Sequence, residues 1–154
     1  MYILDTCAFL TQNHPDGEIA TISEIESELN NRQSKQYFTN MREIGLKIRE
    51  PNVDSIENIR KKSEETGDLG VLSSIDLKIL ALAYEMRGTI VSDDFAIQNV
   101  ALYTGIEFVS CSGNEIKELR KWNYKCSACN HVEDKKSNEC RICGSTDIFR
   151  IKSK

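Results

Sequence analysis

Four of the six cysteines are grouped with the spacing of a metal site. They form the pairs Cys126-x-x-Cys129 and Cys140-x-x-Cys143, with ten residues between the pairs. Each pair can turn two sulfur atoms to one side of a tight loop, and two such loops supply the four ligands of a structural zinc ion. The segment is too short to fold around an apolar core of its own. We therefore predict that these four cysteines bind Zn²⁺.

Other uses of the same cysteines are two disulfides, a redox-active pair or a rubredoxin-like iron site. Zinc is preferred because basic and aromatic side chains flank the cysteines, as in a recognition module; they are Lys121, Trp122, Tyr124, Lys125 and Arg150. Cys7 and Cys111 are left over and distant, and we expect them to be buried small residues.

Carboxylates at the ends of two predicted strands form a second candidate site. Asp5 ends the strand of residues 2–4, and Asp93 ends the strand of residues 89–92. The carboxyl ends of parallel strands open on a common crevice, which is where such sheets bind ligands. Capping of the next helix is the alternative role for Asp93 or Asp94.

Helical segments add further acids. Asp76 lies beside the apolar face of its helix, although Ser73 three residues earlier also permits a capping box. Another predicted helix carries Glu24, Glu26 and Glu28, and the helical pattern does not choose between the last two. A solvated acidic surface is the alternative interpretation for all three.

Several carboxylates in one crevice would repel one another, and some of their pKa values would rise unless a cation lay between them. Oxygen ligands suit Mg²⁺ or Mn²⁺, and we expect the two histidines elsewhere, His14 in a loop and His131 in the zinc module. Such a cation activates water and neutralises charge on a phosphate, which implies phosphodiester hydrolysis. The sequence lacks a Walker A motif, a nucleophile elbow and a dinucleotide-binding glycine loop.

Alternating strands and helices must position these acids. We predict strands at 2–4, 46–50, 89–92 and 106–109, and helices at 21–32, 35–43, 54–65, 74–87, 95–104 and 114–121. This alternation indicates an α/β fold with a mostly parallel sheet covered on both faces.

Composition and charge limit the possible partners. The chain has 154 residues, enough for one domain with a small appendage, and its apolar runs are far shorter than the ~20 residues that span a bilayer. The start of the chain has no basic leader, so we expect a cytoplasmic protein without a membrane partner. Residues 1–119 carry 11 basic and 20 acidic side chains, whereas residues 120–154 carry 9 and 4. A nucleic acid would therefore need the basic tail.

Together these motifs resemble a PIN-domain ribonuclease over about residues 1–112. They are Leu4-Asp5-Thr6, an acid before Leu29, Leu72-Ser73-Ser74-Ile75-Asp76 and Val91-Ser92-Asp93-Asp94. Further motifs are Thr66-Gly67-Asp68-Leu69, Gln98-Asn99-Val100-Ala101 and Lys121-Trp122 ahead of the four cysteines. Their order is similar to the Nob-one family, the endonucleases that mature the 3′ end of small-subunit ribosomal RNA in archaea and eukaryotes.

The resemblance implies a doubly wound PIN domain over residues 1–112, a linker helix over 113–122 and a zinc ribbon over 123–154. It also implies Mn²⁺- or Mg²⁺-dependent cleavage of precursor small-subunit rRNA in a pre-ribosomal particle. The family's acidic positions fall on Asp5, Glu28, Asp76 and Asp93, with Asp94 as an auxiliary acid; Asp5, Asp76 and Asp93 would bind the cation. Glu28 is chosen over Glu26 because it directly precedes an aliphatic residue.

The resemblance further makes Thr6 and Ser92 hydrogen-bonding neighbours of the acids. RNA would contact the ribbon residues Lys121, Trp122, Tyr124, Lys125 and Arg150. Two alternatives stay open: a VapC-type toxin ribonuclease, which is usually a bare PIN domain, and a non-catalytic RNA-binding assembly factor whose acidic crevice is vestigial.

Overall fold

A five-stranded parallel sheet forms the centre of the larger unit in a computed structural model, which describes residues 1–153. The strands are β1 (Tyr2–Leu4), β2 (Ile19–Thr21), β3 (Lys47–Ile48), β4 (Thr89–Val91) and β5 (Phe108–Val109). Their order is β3-β2-β1-β4-β5, and every neighbouring pair is parallel. The winding direction therefore reverses between β1 and β4, the position where doubly wound sheets bind ligands.

Six helices connect the strands: α1 (Thr6–Thr11), α2 (Ile25–Glu28), α3 (Arg32–Glu43), α4 (Val53–Thr66), α5 (Ser74–Met86) and α6 (Phe95–Thr104). Helix α5 packs against α4, α6, β1 and β4. Its residues 79–83 are all buried, because neighbours cover it on several sides. The predicted α/β fold with a parallel sheet is confirmed.

Two compact units divide the chain, the first covering Met1–Glu118 and the second beginning at Leu119. The second unit contains β6 (Trp122–Cys126), β7 (Val132–Glu133) and β8 (Ile148–Lys152), paired antiparallel in the order β7-β6-β8. Within residues 1–153 no helix has the length and apolar character needed to cross a membrane.

The predicted continuous helix over residues 21–32 is wrong, because only Ile25–Glu28 and the last residue, Arg32, are helical. Thr21 ends β2, and the backbone is helical only over Ile25–Glu28 before α3 begins at Arg32. The apolar residues that suggested the helix, Ile22, Ile25 and Leu29, are all buried. Strand pairing with β1 decides the conformation of Ile19–Thr21, and a local periodicity cannot reveal that pairing.

The predicted linker helix over residues 113–122 is also wrong. Residues 113–121 lie outside regular elements, and Trp122 begins β6. The buried side chain of Gln98 in α6 explains why the chain stays irregular here. Its side-chain amide nitrogen, Nε2, donates to the Asn114 carbonyl at 3.1 Å, and its side-chain oxygen, Oε1, accepts from the Ile116 amide at 3.0 Å. These backbone groups bond to a side chain in place of a helical turn.

Candidate active site and metal centre

Asp5 lies where the winding of the sheet reverses, directly after β1. Its backbone amide donates to the Val91 carbonyl of β4 at 3.2 Å. Its buried carboxylate accepts a hydrogen bond from Ser92 Oγ, at 2.7 Å from Oδ2. The first acid is therefore fixed between the ends of the two central strands.

Thr6 connects Asp5 with Glu28. The Thr6 amide donates to Asp5 Oδ1 at 2.7 Å, which makes Asp5 the N-cap of α1. The Thr6 hydroxyl donates to Glu28 Oε2 at the end of α2. One residue thereby orients carboxylates from two different elements, and the predicted hydrogen-bonding roles of Thr6 and Ser92 are confirmed.

Asp76 reaches the same group of acids from the first turn of α5. Its Oδ2 accepts from the Ser73 amide at 2.6 Å, and its own amide donates to Ser73 Oγ at 3.1 Å. This is the reciprocal capping box that the sequence permits. Asp76 is half-buried and close enough to Asp5 for the two charges to interact.

Burial raises the pKa of Asp5 to about 6. Hydrogen bonds from Ser92 and Thr6 oppose this shift, while the charges of Asp76 and Glu28 add to it. A buried carboxylate that repels two neighbouring carboxylates is suited to hold a divalent cation, because the cation would remove the repulsion. The donor set, made of oxygen atoms, fits Mg²⁺ or Mn²⁺.

Asp93 follows β4 and has a different environment. Its Oδ1 accepts from Ser110 Oγ at 2.5 Å and from the Ser112 amide at 3.1 Å. Partial burial acts to raise its pKa, but the hydrogen bonds from the 110–112 loop prevail and lower it. This acid is therefore ionised in conditions where Asp5 still holds a proton.

Three other acids lie outside this group. Asp94 caps α6, since its Oδ1 accepts from the Ala96 amide at 2.6 Å. Glu24 forms an ion pair with Lys78, and Glu26 is exposed. Of Glu26 and Glu28, between which the helical pattern could not decide, Glu28 is the one that the structure brings to Asp5.

The four ribbon cysteines converge as predicted. Their sulfur atoms all lie within 4.8 Å of one another, with 3.6 Å between Cys126 and Cys143 and 3.5 Å between Cys129 and Cys140. Four sulfurs at about 2.3 Å from a tetrahedral ion are separated by similar distances. The donor set and spacing therefore fit a structural zinc ion.

The two cysteine loops share one backbone geometry. Asn130 and Gly144, each directly after the second cysteine of a pair, have positive φ angles of 61° and 71°. Their amides donate to the carbonyls of Cys126 and Cys140 at 3.0 and 2.9 Å. Hydrogen bonds from backbone amides also lower the pKa of Cys126 to about 6, and the Cys129 amide contributes most to this shift. The lower pKa favours the thiolate form, which is the form that binds a metal.

Comparison with known proteins agrees with this geometry. A family model described as "PIN domain of ribonuclease" matches residues 2–86. Over 151 residues the chain is 33% identical to the Endoribonuclease Nob1 of Methanothermobacter thermautotrophicus, covering 93% of this chain and 88% of that protein. The chain belongs to the Nob1 family of PIN-domain endoribonucleases.

Two further relatives of this Nob1-family chain carry other names. It is 30% identical to Ribonuclease VapC1 of Thermoplasma acidophilum, over 94% of this chain and 75% of that protein. It is 35% identical to the 20S-pre-rRNA D-site endonuclease NOB1 of Saccharomyces cerevisiae over 97 residues, which are 57% of this chain and 21% of the yeast protein.

The predicted RNA-binding residues of this Nob1-family chain divide between the two faces of the ribbon sheet. Trp122 and Tyr124 are two positions apart in β6 and therefore share a face of the sheet. Arg150, opposite Tyr124 in the register, lies on that face, with its guanidinium carbon 4.0 Å from the centre of the Trp122 ring. Lys125 points to the other face, and Lys121 precedes the strand and is exposed.

Three residues that no sequence motif singled out lie at these sites in the structure. Ser110 and Ser112 hold Asp93, although they lie 17 and 19 positions away along the chain. Phe149 lies opposite Lys125 and is 46% exposed. The face of the ribbon sheet that carries Lys125 therefore has an exposed aromatic ring beside the lysine. Alternation along Ile148–Lys152 could have indicated Phe149, but no sequence pattern indicates the two serines.

The expectation for Cys7 and Cys111 is wrong. They are not buried and distant: both are partly exposed, and their sulfur atoms lie 2.9 Å apart. The parallel pairing of β1, β4 and β5 brings the residues that follow these strands to one edge of the sheet, so it joins positions that are far apart in the chain.

Proposed function

We propose that this chain is a Mg²⁺- or Mn²⁺-dependent endoribonuclease that cuts precursor small-subunit rRNA in a cytoplasmic pre-ribosomal particle and so forms the mature 3′ end. The observation that carries the proposal is the convergence of Asp5, Glu28 and Asp76 at the point where the sheet reverses direction, with Asp93 following the neighbouring strand β4. The name of the yeast relative, a 20S-pre-rRNA D-site endonuclease, supports the choice of substrate.

The cation would be held by Asp5, Asp76 and Asp93, where it would activate a water molecule and neutralise charge on the phosphate. Ser92 and the Thr6 amide keep the Asp5 carboxylate in place, and the 110–112 loop does the same for Asp93. The Thr6 hydroxyl keeps Glu28 in the same crevice, where Glu28 would help position the attacking water.

The basic second unit would bind the RNA. The first 119 residues carry an excess of acidic side chains and would repel a polyphosphate chain, whereas residues 120–154 carry an excess of basic ones. Lys121, Lys125 and Arg150 would contact phosphates, and Trp122 and Tyr124 would stack on unpaired bases. Zinc in the four-cysteine site would keep β6 and β8 in the arrangement that presents these side chains.

Cleavage of a defined RNA tests the proposal. We expect the protein to cut an RNA spanning the 3′ end of small-subunit rRNA and its spacer at one position, in the presence of Mn²⁺ or Mg²⁺ and not of EDTA. Asp93→Asn should lower the rate by at least about 10³-fold while leaving RNA affinity within about threefold, because the ribbon and not the acid binds the RNA. An equal loss of binding would contradict this division of roles.

A matched pair of variants on α2 tests the assignment of the fourth acid. Glu28→Gln removes a charge from the crevice, whereas Glu26→Gln removes one from an exposed position two residues earlier. We expect Glu28→Gln to slow cleavage by about 10²-fold and Glu26→Gln to change it less than about twofold. The opposite ranking would show that the register of this helix is misassigned.

A VapC-type toxin ribonuclease is the second candidate, and the similarity to Ribonuclease VapC1 over 94% of this chain favours it. Equal cleavage rates on the rRNA junction and on unrelated single-stranded RNAs would support the toxin function. Tight binding to the junction with no cleavage under any cation would instead support a non-catalytic assembly factor.

A further inference from the structure

Two cysteines outside the zinc cluster meet at the edge of the acidic crevice. Cys7 is in the first turn of α1, two residues after Asp5, and Cys111 is in the loop that follows β5. Their sulfur atoms lie 2.9 Å apart, although the residues are separated by 104 positions in the sequence. Both side chains are partly exposed, so a small oxidant in solution can reach them.

The separation is close to what a disulfide bond needs. The bonded distance is about 2.05 Å, so joining the two sulfur atoms requires a movement of less than about 1 Å. The Asn13 side chain, at the other end of α1, donates to the Cys111 carbonyl at 2.8 Å and already holds the loop against this helix. The two segments are therefore aligned before any bond forms.

The loop that carries Cys111 also holds Asp93. Ser110 Oγ and the Ser112 amide, on either side of Cys111, donate to Asp93 Oδ1 at 2.5 and 3.1 Å. A displacement of Cys111 toward Cys7 would shift these two donors and the carboxylate that they orient. Shifts of about 1 Å in a catalytic group can cost a factor of about 100 in rate.

We propose that Cys7 and Cys111 are a reversible oxidation site, and that the disulfide formed between them inhibits the nuclease by displacing the loop that positions Asp93. The inhibitory part rests on the proposed function, whereas formation of the bond does not. The ribbon cysteines are distinct from this pair, because their sulfur atoms form a four-ligand cluster in the second unit.

A low-molecular-weight disulfide such as oxidised glutathione is the chemical class of oxidant. One cysteine attacks it, forming a mixed disulfide and releasing one molecule of reduced thiol. The second cysteine then attacks the protein-bound sulfur, forms the intramolecular bond and releases the second thiol. The two protein thiols lose two electrons and two protons, and one small disulfide becomes two thiols.

Peptide mapping tests the bond itself. The full chain, purified with zinc, is equilibrated in glutathione buffers of increasing oxidised fraction and then blocked with N-ethylmaleimide. We expect a peptide linked through Cys7 and Cys111, which disappears on treatment with dithiothreitol and is absent from Cys7→Ser and Cys111→Ser. Separate glutathione adducts on the two residues without the link would overturn the proposal. The proposal would also be overturned if both thiols resisted N-ethylmaleimide until a metal chelator was added.

Cleavage assays on the same samples test the inhibition. We expect the oxidised protein to cut RNA about 10- to 100-fold more slowly than the reduced protein, and dithiothreitol to restore the rate. Cys7→Ser should keep its rate in every buffer. An oxidised protein that carries the link and cleaves at full rate would overturn the regulatory part. If the reduced protein does not cleave at all, the proposed function fails while the mapping still decides the bond.

Discussion

At the scale of single residues, the aspartates that follow the two central strands, Asp5 after β1 and Asp93 after β4, have pKa values shifted in opposite directions. Burial and neighbouring carboxylates raise the pKa of Asp5 to about 6, whereas hydrogen bonds from the 110–112 loop outweigh burial and lower that of Asp93. Below about pH 6 a proton would compete with a cation at Asp5. Cation binding and cleavage should therefore weaken as the pH falls through that value.

Asp5→Asn should stabilise the protein in the absence of divalent cations. The folded state binds the Asp5 proton more tightly than the unfolded chain, whose carboxyl has the ordinary pKa of 3.8. Stability from this group is complete below about pH 4 and is lost as the pH rises to about 6, which amounts to ~3 kcal/mol at most. At about pH 7.5 the variant should have a free energy of unfolding ~1–3 kcal/mol above that of the native protein.

Denaturant titrations in EDTA at about pH 4 and pH 7.5 check this expectation. The difference between Asp5→Asn and the native protein should shrink toward zero at the lower pH. Asp16→Asn, in an exposed loop, is the matched control and should change stability by less than ~0.5 kcal/mol. A less stable Asp5→Asn protein at both pH values would show that the hydrogen bonds to Asp5 outweigh its burial.

At the scale of elements, α5 both completes the core and supplies an acid. Leu77 and residues 79–83 are buried against the sheet and the neighbouring helices. The position of the first turn then follows from this packing, and the capping box between Ser73 and Asp76 fixes the carboxylate. The same hydrogen bonds that begin the helix therefore also aim Asp76.

Ser73→Ala should separate these two roles. The hydroxyl that accepts from the Asp76 amide is lost, and we expect the free energy of unfolding to fall by ~1 kcal/mol. The Ser73 amide that donates to Asp76 Oδ2 remains, so the cleavage rate should fall less than about threefold. Thermal unfolding and cleavage rates measure the two effects. Ser74→Ala, at the next exposed position, is the control; if it destabilises as much, the cap is not the cause.

At the scale of the whole molecule, the two compact units differ in their net charge and in the size of their apolar cores. The unit of Met1–Glu118 has an extensive apolar core, whereas among the described residues of the second unit the buried apolar side chains are those of Cys126 and Cys140. Small units of this kind depend on metal for folding. We therefore expect the two units to differ in their response to chelation.

Removal of zinc should unfold the second unit and leave the first folded. With a strong zinc chelator, we expect NMR signals of β6 and β8 to collapse while those of the parallel sheet persist, and RNA affinity to fall roughly tenfold or more because the basic surface is lost. Cys143→Ser should reproduce the effect without chelator, whereas Cys7→Ser should not. Persistence of the ribbon signals without metal would rule out a structural zinc site.

The sequence alone predicted the features that depend on local spacing. The alternation of strands and helices indicated the parallel sheet, Ser73-Ser74 and Asp93-Asp94 indicated the starts of α5 and α6, and the cysteine spacing indicated the metal site. These features were predictable because their interactions connect residues that are few positions apart. Position after β1 and β4 also placed Asp5 and Asp93 at one edge of the sheet, since parallel strands end together.

Only the tertiary structure decided which residues meet across long separations. It paired Ile19–Thr21 with β1, brought Glu28 to Asp5 through Thr6, placed the Cys7 and Cys111 thiols beside each other, and bonded the backbone of Asn114 and Ile116 to the side chain of Gln98. Each outcome depends on packing between elements that local periodicity does not contain. The sequence determined which functional side chains are present, and the order of the strands determined which of them lie close together.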